Sequence, residues 1–449
     1  MNDNIRNSLF RLLDALCILI ALYVVGETML PDEYSVLIDY TGASFFTTFF
    51  FLLSFYVLDC YSVGEEDFRD SVARVGVASV LGVIATGFTF YSFESWRFDR
   101  STFVLLLVLV VALCLAWRVV WHRIGKRFVT RQRVVLVGVD RAGKVRSLLA
   151  QSMPNAEILG YVGEGGMDAD AGPCLGPSYD PLGVARAHDA TMLIMLPDAP
   201  LDEDIARELL RAKLGGLMVV DIRTLYEHVV GRIPVSLIRD EWLLMEDGFN
   251  LNTQGSMQRL KRVFDVLTSF VLLVLTLPIM AIAAIVIRLE SPGPVIYRQK
   301  RVGLHEKEFT VLKFRSMTVD AEKHGAVWAQ KGDTRVTKVG KFIRKVRIDE
   351  LPQLWNVLRG DMSLIGPRPE RMEFVRELEK VIPYFYVRHT VKPGVTGWAQ
   401  VCYPYGASVE DARYKLEYDL YYIKNMSPLL DLKIVLKTVG VILFPKGAR

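Results

Sequence analysis

Two adjacent acids, Asp349 and Glu350, stand in RIDELPQLWNVLRGDMSLIGPRP, residues 347–369. Pro352 follows them, and proline fits only the first turn of a helix because it has no N–H to donate. The apolar run Leu351, Leu354, Trp355, Val357 and Leu358 predicts a helix that stops near Gly360. The acids therefore sit at or just before a helix N-terminus, where the macrodipole favours negative charge. Pro367-Arg368-Pro369 predicts a stiff turn that fixes one guanidinium. Carboxylates opposite a fixed arginine suit phosphate chemistry: a nucleophile or metal ligand on one side, a charge clamp on the other. A lone Asp-Glu pair would be read as a solvated helix start; the surroundings shift that weighting.

The net charge of +4 hides an asymmetry. Residues 1–257 carry 22 Lys and Arg against 31 Asp and Glu, whereas residues 258–449 carry 32 against 19. The basic half is matched to an anion: phosphates or a membrane surface. No base-reading motif is present, so a nucleic-acid partner is set aside. The five cysteines, Cys17, Cys60, Cys114, Cys174 and Cys402, are too scattered for a disulfide framework or a zinc site.

Half of the residues (51%) are hydrophobic, and they come in blocks. Leu9–Leu30, Ala43–Val57, Val72–Tyr91 and Phe103–Trp121 predict four membrane helices within residues 1–125, the second being short against the ~20 residues a span needs. Arg118, Arg123, Lys126, Arg127, Arg131 and Arg133 then place this end in the cytoplasm. The Pro31–Gly42 loop, without Lys or Arg, falls outside; Arg97 and Arg100 in the Tyr91–Ser101 loop run against the pattern. Asp14, inside the first block, reads as an interfacial acid close to Arg11.

Residues 131–245 change character. Runs at 134–139, 158–163, 191–196 and 216–220 read as buried strands, with helices from Ala142 and over Asp202–Leu214 between them. That alternation predicts a parallel, Rossmann-like α/β domain. Its first turn, Gly138 to Lys144, has Asp140 where a dinucleotide fingerprint needs glycine, and Val145 where a P-loop needs Ser or Thr. An assembly role, a homodimer included, or a regulatory one is expected in place of nucleotide binding. Asp168-Ala-Asp170 and Asp202-Glu-Asp204 are read as surface acids, not as metal motifs.

A linker over 246–258 precedes the last domain, 259–449. Val266–Ile287 is uncharged over 22 residues, carries Pro278 near its middle and has basic residues on both flanks. A spanning helix shows a charge bias across the membrane, and this one shows none. Proline kinks a helix. A re-entrant helix over 264–288, kinked at Pro278, fits both facts; an ordinary fifth span is the alternative. Ser427–Leu443, with Lys433 and Lys437 one helical turn apart, suits either an interfacial helix or a packed terminal one.

The motifs KRVFD at 261–265, QKRVG at 299–303, KFRSM at 313–317, DELPQLWNVL at 349–358, GDMSLIGPRP at 360–369 and KPGVTGWAQV at 392–401 resemble the signature of the bacterial sugar transferases. These enzymes move a sugar-1-phosphate from a nucleotide sugar to polyprenyl phosphate. The chain resembles the family's long form, a membrane protein of α + α/β class with four transmembrane helices, a Rossmann-like domain and a monotopic catalytic domain. The resemblance implies transfer from a UDP-sugar to undecaprenyl phosphate with release of UMP, at the start of exopolysaccharide or other lipid-linked glycan synthesis. It also implies the cytoplasmic face of a bacterial inner membrane, and a first acid, Asp349, that carries the phosphosugar covalently. Attack on a dianionic diphosphate demands charge neutralisation. Glu350 is assigned as Mg²⁺ ligand and Arg368 as phosphate clamp, with Lys313, Arg315, Arg301 and Arg344 as further phosphate contacts. Trp398 either shapes the site or packs. A Rossmann epimerase is excluded, since no tyrosine has lysine four residues on; a membrane scaffold without activity stays open.

Overall fold

A computed structural model of the chain describes residues 3–29, 41–58, 60–61, 68–92, 100–124, 131–139, 141–153, 156–163, 170, 172–197, 199, 202–249, 255–318, 335–403, 406 and 408–443. Asp140, Asp168, Lys126, Arg127, Arg97, most of the loop after Leu30 and residues 250–254 of the linker lie outside them. The chain divides into two compact units, Met1–Arg131 and Gln132–Arg449.

The first unit contains α1 (Asp3–Met29), α2 (Thr41–Val57), α3 (Phe68–Ser92) and α4 (Arg100–Ile124). Ser8–Met29 and Ser101–Trp121 are long and apolar enough to cross a membrane; Thr41–Val57 and Arg74–Phe88 are shorter apolar stretches. Asp14 is fully buried, but its partner is Arg118 on α4, not Arg11. The guanidinium grips both carboxylate oxygens at 2.7 and 2.8 Å, and the Trp117 indole N–H adds a third bond at 2.9 Å. Arg11 is exposed on its helix, whereas Arg118 faces the apolar interior, where a buried charge requires a counter-charge.

The second unit opens with a five-stranded parallel sheet in the order β3-β2-β1-β4-β5. Its strands are β1 (Gln132–Val137), β2 (Ala156–Val162), β3 (Cys174–Gly176), β4 (Met192–Met195) and β5 (Met218–Asp221). Helices α5 (Ala142–Ser152), α6 (Pro181–Ala187), α7 (Glu203–Leu214) and α8 (Ile222–Val230) cover it. β1 and β4 are buried on both faces, as a parallel sheet covered by helices requires. This is the expected Rossmann-like arrangement; β3 was not expected, three residues being too short for a periodicity to register. Asp202 caps α7 by accepting from Ile205 N, and Glu203 and Asp204 pair with Arg207, so these acids form an ordinary helix start.

After α8 the chain packs into a different core. Ile233, Val235 and Ile238 are buried with Leu354, Val357, Phe385 and Leu420. Short α9 (Asp240–Met245) leads to α10 (Gly255–Glu290), a single helix of 36 residues with Pro278 inside it. Among the described residues Gln258–Glu290 is the third helix long and apolar enough to cross a membrane, and little of it is buried, 11% of its most apolar window. The hairpin β6 (Ile296–Val302) and β7 (Glu308–Phe314) follows. Then come α11 (Lys338–Lys345), α12 (Gln353–Arg359), β8 (Ser363–Ile365), α13 (Met372–Val381), β9 (Gly394–Thr396), α14 (Trp398–Cys402), α15 (Val409–Lys424) and α16 (Pro428–Leu443). α16 seats Ile434 in the core while Leu429 and Leu432 remain exposed.

Candidate active site

The acids do not lie in a regular helix. Arg347 takes a left-handed conformation, residues 348–350 make one 3₁₀ turn, and Pro352 then starts α12. Neighbours on a regular α-helix face apart; this irregular start lets Asp349 and Glu350 occupy one buried place. Gly360 ends α12 at φ 98°, the left-handed stop that glycine takes without strain.

Other elements hold α12 in place. The Asn356 amide accepts from Leu312 N at 3.0 Å and donates to Thr310 O at 2.7 Å, stitching the helix to β7. That brings Lys313, on β7, to the acids. Arg262 of α10 donates to the last-turn carbonyls of Val357 and Leu358, and Asp265 accepts from Leu364 N. The Lys-Arg-Val-Phe-Asp motif is thus an anchor for the site.

The Pro367-Arg368-Pro369 turn is pinned by glycines. β8 pairs with β9 in parallel, Gly366 N donates to Thr396 O, and Gly394 N donates to Pro367 O. A Cβ on Gly366 would lie 2.4 Å from Lys392 O, and one on Gly397 would lie 2.1 Å from Gly366 O. Backbone meets backbone here, so no side chain fits. Arg388 donates to Arg368 O at 3.0 Å and to Asp419 at 2.8 Å, and Arg301 reaches Pro369 O at 3.3 Å.

Within this frame the two acids differ sharply. Glu350 Oε1 lies 2.7 Å from Arg368, 3.5 Å from Lys313 and 3.6 Å from Arg347. Arg368 and Lys313 hold its carboxyl far below the usual range against the cost of burial. Asp349 Oδ1 is buried with no hydrogen-bond partner. Burial, and then the Glu350 charge, raise the Asp349 carboxyl to about 6. Burial lowers Lys313 to about 8. One acid is neutralised and fixed; the other keeps a bare oxygen.

Of the cations expected at the site, the structure brings Lys313 and Arg368 to Glu350, and Arg344 close enough to act on the Asp349 carboxylate. Arg301 braces the turn from behind through Pro369 O and Gln299. Arg315 points elsewhere: its guanidinium binds the carbonyls of Ser291 and Pro292 just past the end of α10. Trp398 is buried, stacks on Tyr421 and donates to Gly231 O at 2.7 Å, so it packs. Arg347, Arg388 and Asp419 were not anticipated; residue type gives no signal for them, since each acts through a fold-dependent contact. Glu306, Glu379 and His389 form a separate group able to hold a metal ion.

The bacterial sugar transferase family model matches residues 256–445, which include Asp349, Glu350, Arg368 and all of α10 but its first residue. The chain is 46% identical over 252 residues to the UDP-N-acetylgalactosamine-undecaprenyl-phosphate N-acetylgalactosaminephosphotransferase of Aeromonas hydrophila, covering 55% of this chain and 58% of that protein. It is 33% identical over 324 residues to the UDP-glucose:undecaprenyl-phosphate glucose-1-phosphate transferase of Escherichia coli K12, covering 69% of this chain and 67% of that protein. A Caulobacter vibrioides protein of that same name is 45% identical over 190 residues, 42% of this chain and 71% of its own length. With the family model seated on residues 256–445 and the Escherichia coli relative matched over two thirds of its length, the chain belongs to the bacterial sugar transferase family.

Proposed function

We propose that the chain transfers a sugar-1-phosphate from a UDP-sugar to undecaprenyl phosphate and releases UMP, through a phosphosugar held on Asp349. The observation that carries this reading is the bare, buried Oδ1 of Asp349 beside a Glu350 fixed by three cations. Asp349 Oδ1 attacks the β-phosphorus, and the bond to the bridging oxygen breaks, so UMP leaves with the electron pair. A lipid phosphate oxygen then attacks the same phosphorus, and the Asp349 carboxylate is regenerated. Arg368 and Lys313, already poised on Glu350, stabilise charge that builds on the phosphoryl oxygens. A hard cation fits the site, because a buried carboxylate oxygen without a donor adjoins a second carboxylate. Glu350 with Asp349 would hold Mg²⁺, which when bound neutralises diphosphate charge. UMP release beyond one turnover should require both a UDP-sugar and undecaprenyl phosphate, assayed over UDP-sugars that include those of glucose and N-acetylgalactosamine. Release without lipid beyond one turnover, or none with any UDP-sugar, contradicts the proposal.

The same assay carries a pH prediction. The nucleophile must be ionised, and its folded pKa is raised, so the neutral, inactive form persists to higher pH than for an exposed aspartate. kcat/KM should rise through about pH 6 and fall above about pH 8 as Lys313 loses its charge. An acid limb near the ordinary aspartate value of about 4 speaks against this assignment.

The domain plan follows the same reading. Residues 1–125 supply four membrane helices, 131–245 the Rossmann-like domain, and 259–449 the catalytic domain, set at the cytoplasmic face of a bacterial inner membrane. α10 enters one leaflet and returns, kinked at Pro278. In support, both of its ends bind one folded body: Lys261 to Asp431 and Asp265 to Leu364 N, then Ala283 and Ile287 to Phe314 and Ile343. Single cysteines at the exposed positions Gln258 and Lys300, in a cysteine-free background, should both resist an impermeant reagent in intact cells. Labelling of Lys300→Cys alone would show a spanning helix.

A further inference from the structure

We propose a second cation site, formed by Glu306, Glu379 and His389, that takes a first-row divalent transition ion and braces the arginine clamp from behind. One ligand atom from each side chain lies within 4.8 Å of the other two. Glu306 is in the turn between β6 and β7, Glu379 is on α13, and His389 is in the 3₁₀ helix Phe385–Thr390. The three ligands thus come from three elements that one ion would join.

Two features suit this group to a cation. The first is His389, only 7% exposed, whose Nδ1 is buried without a hydrogen-bond partner. Buried polar atoms are rarely left unsatisfied, and a ring nitrogen of this imidazole lies within 4.8 Å of two carboxylates, a set of ligand types that binds metal ions. The second is the pair of glutamates. One carboxylate oxygen of each lies within 4.8 Å of the other's. Neither makes a hydrogen bond or ion pair among the described residues.

The ligand types choose the ion. Carboxylates alone would suit Mg²⁺ or Ca²⁺, whereas an added imidazole favours the Mn²⁺-to-Zn²⁺ series. Ligand bonds of about 2.0–2.2 Å place donors roughly 3–3.6 Å apart, so from separations within 4.8 Å the two exposed glutamate side chains need to close by at most about 2 Å. His389 adjoins Arg388, which holds the Arg368 carbonyl. An ion here would therefore steady the segment that positions the clamp. The site shares no residue with the Asp349–Glu350 pair.

The test uses the full, tag-free chain in lipid nanodiscs, stripped of metal and given one equivalent of Mn²⁺ with excess Mg²⁺ to fill oxygen-only sites. Electron spin-echo spectra should show ¹⁴N coupling from a bound imidazole, and the melting temperature should rise on adding Mn²⁺. Both effects should persist in Glu350→Gln and disappear in His389→Gln. Should the buried histidine variant fail to fold, Glu306→Gln with Glu379→Gln, both at exposed positions, should weaken Mn²⁺ binding at least tenfold. No bound Mn²⁺, Mn²⁺ without nitrogen coupling, coupling that survives His389→Gln, or unchanged affinity in the double glutamine variant would each overturn the proposal.

Discussion

Asp349→Asn is expected to abolish transfer. Removing a covalent nucleophile typically costs on the order of 10⁴- to 10⁶-fold in rate, and UMP release should fall by at least about 10⁴-fold. The fold should not suffer. Oδ1 makes no hydrogen bond, and the raised pKa shows that the folded state disfavours the charge. A neutral amide of the same shape relieves that burden, so the melting temperature should hold or rise. UDP-sugar binding should change only a few-fold, because Glu350, Arg368 and Lys313 remain. A variant that lost activity only because it unfolded would show the opposite melting behaviour.

Arg368→Ala should cost about 10²- to 10³-fold in kcat, the range for one preorganised oxyanion donor, about 2.7–4 kcal/mol. The loss should appear in kcat more than in KM, since the guanidinium answers charge that grows in the transition state. Arg368→Lys keeps the charge but loses the planar fork, so it should recover only part of the rate. The turn itself should survive, because Gly366, Gly394 and Arg388 hold its backbone and not its side chain. An unchanged kcat with raised KM would make Arg368 a ground-state binder only.

Much of this site is legible in the sequence, for local reasons. Pro352 and Gly360 bound a seven-residue helix, and the acids fall in the irregular turn before it. The apolar blocks and the alternation of strands and helices are equally local. What escapes is what the chain brings together from afar. Lys313 and Arg368 were expected at the site, but their convergence on one oxygen of Glu350, from β7 and the proline turn, depends on the fold. Arg315 stands two residues from Lys313 in the same basic motif, yet it serves the carbonyls after α10. Residue type and spacing could not separate those roles, because strand and loop register decide them. Asp14 teaches the same lesson: its sequence neighbour Arg11 faces outward, and its partner lies 104 positions away. The packing of Ile233, Val235 and Ile238 with the core around α12 is likewise invisible to periodicity.

The most direct test of a phosphosugar on Asp349 is the lipid-free half-reaction. Wild-type protein, given UDP-sugar and labelled UMP without undecaprenyl phosphate, should exchange label into UDP-sugar, and the quenched protein should carry the phosphosugar on the peptide containing Asp349. Asp349→Asn should show neither. An adduct on Glu350, normal exchange in Asp349→Asn, or a wild-type protein with neither exchange nor adduct would contradict the account, the last in favour of direct attack by the lipid phosphate.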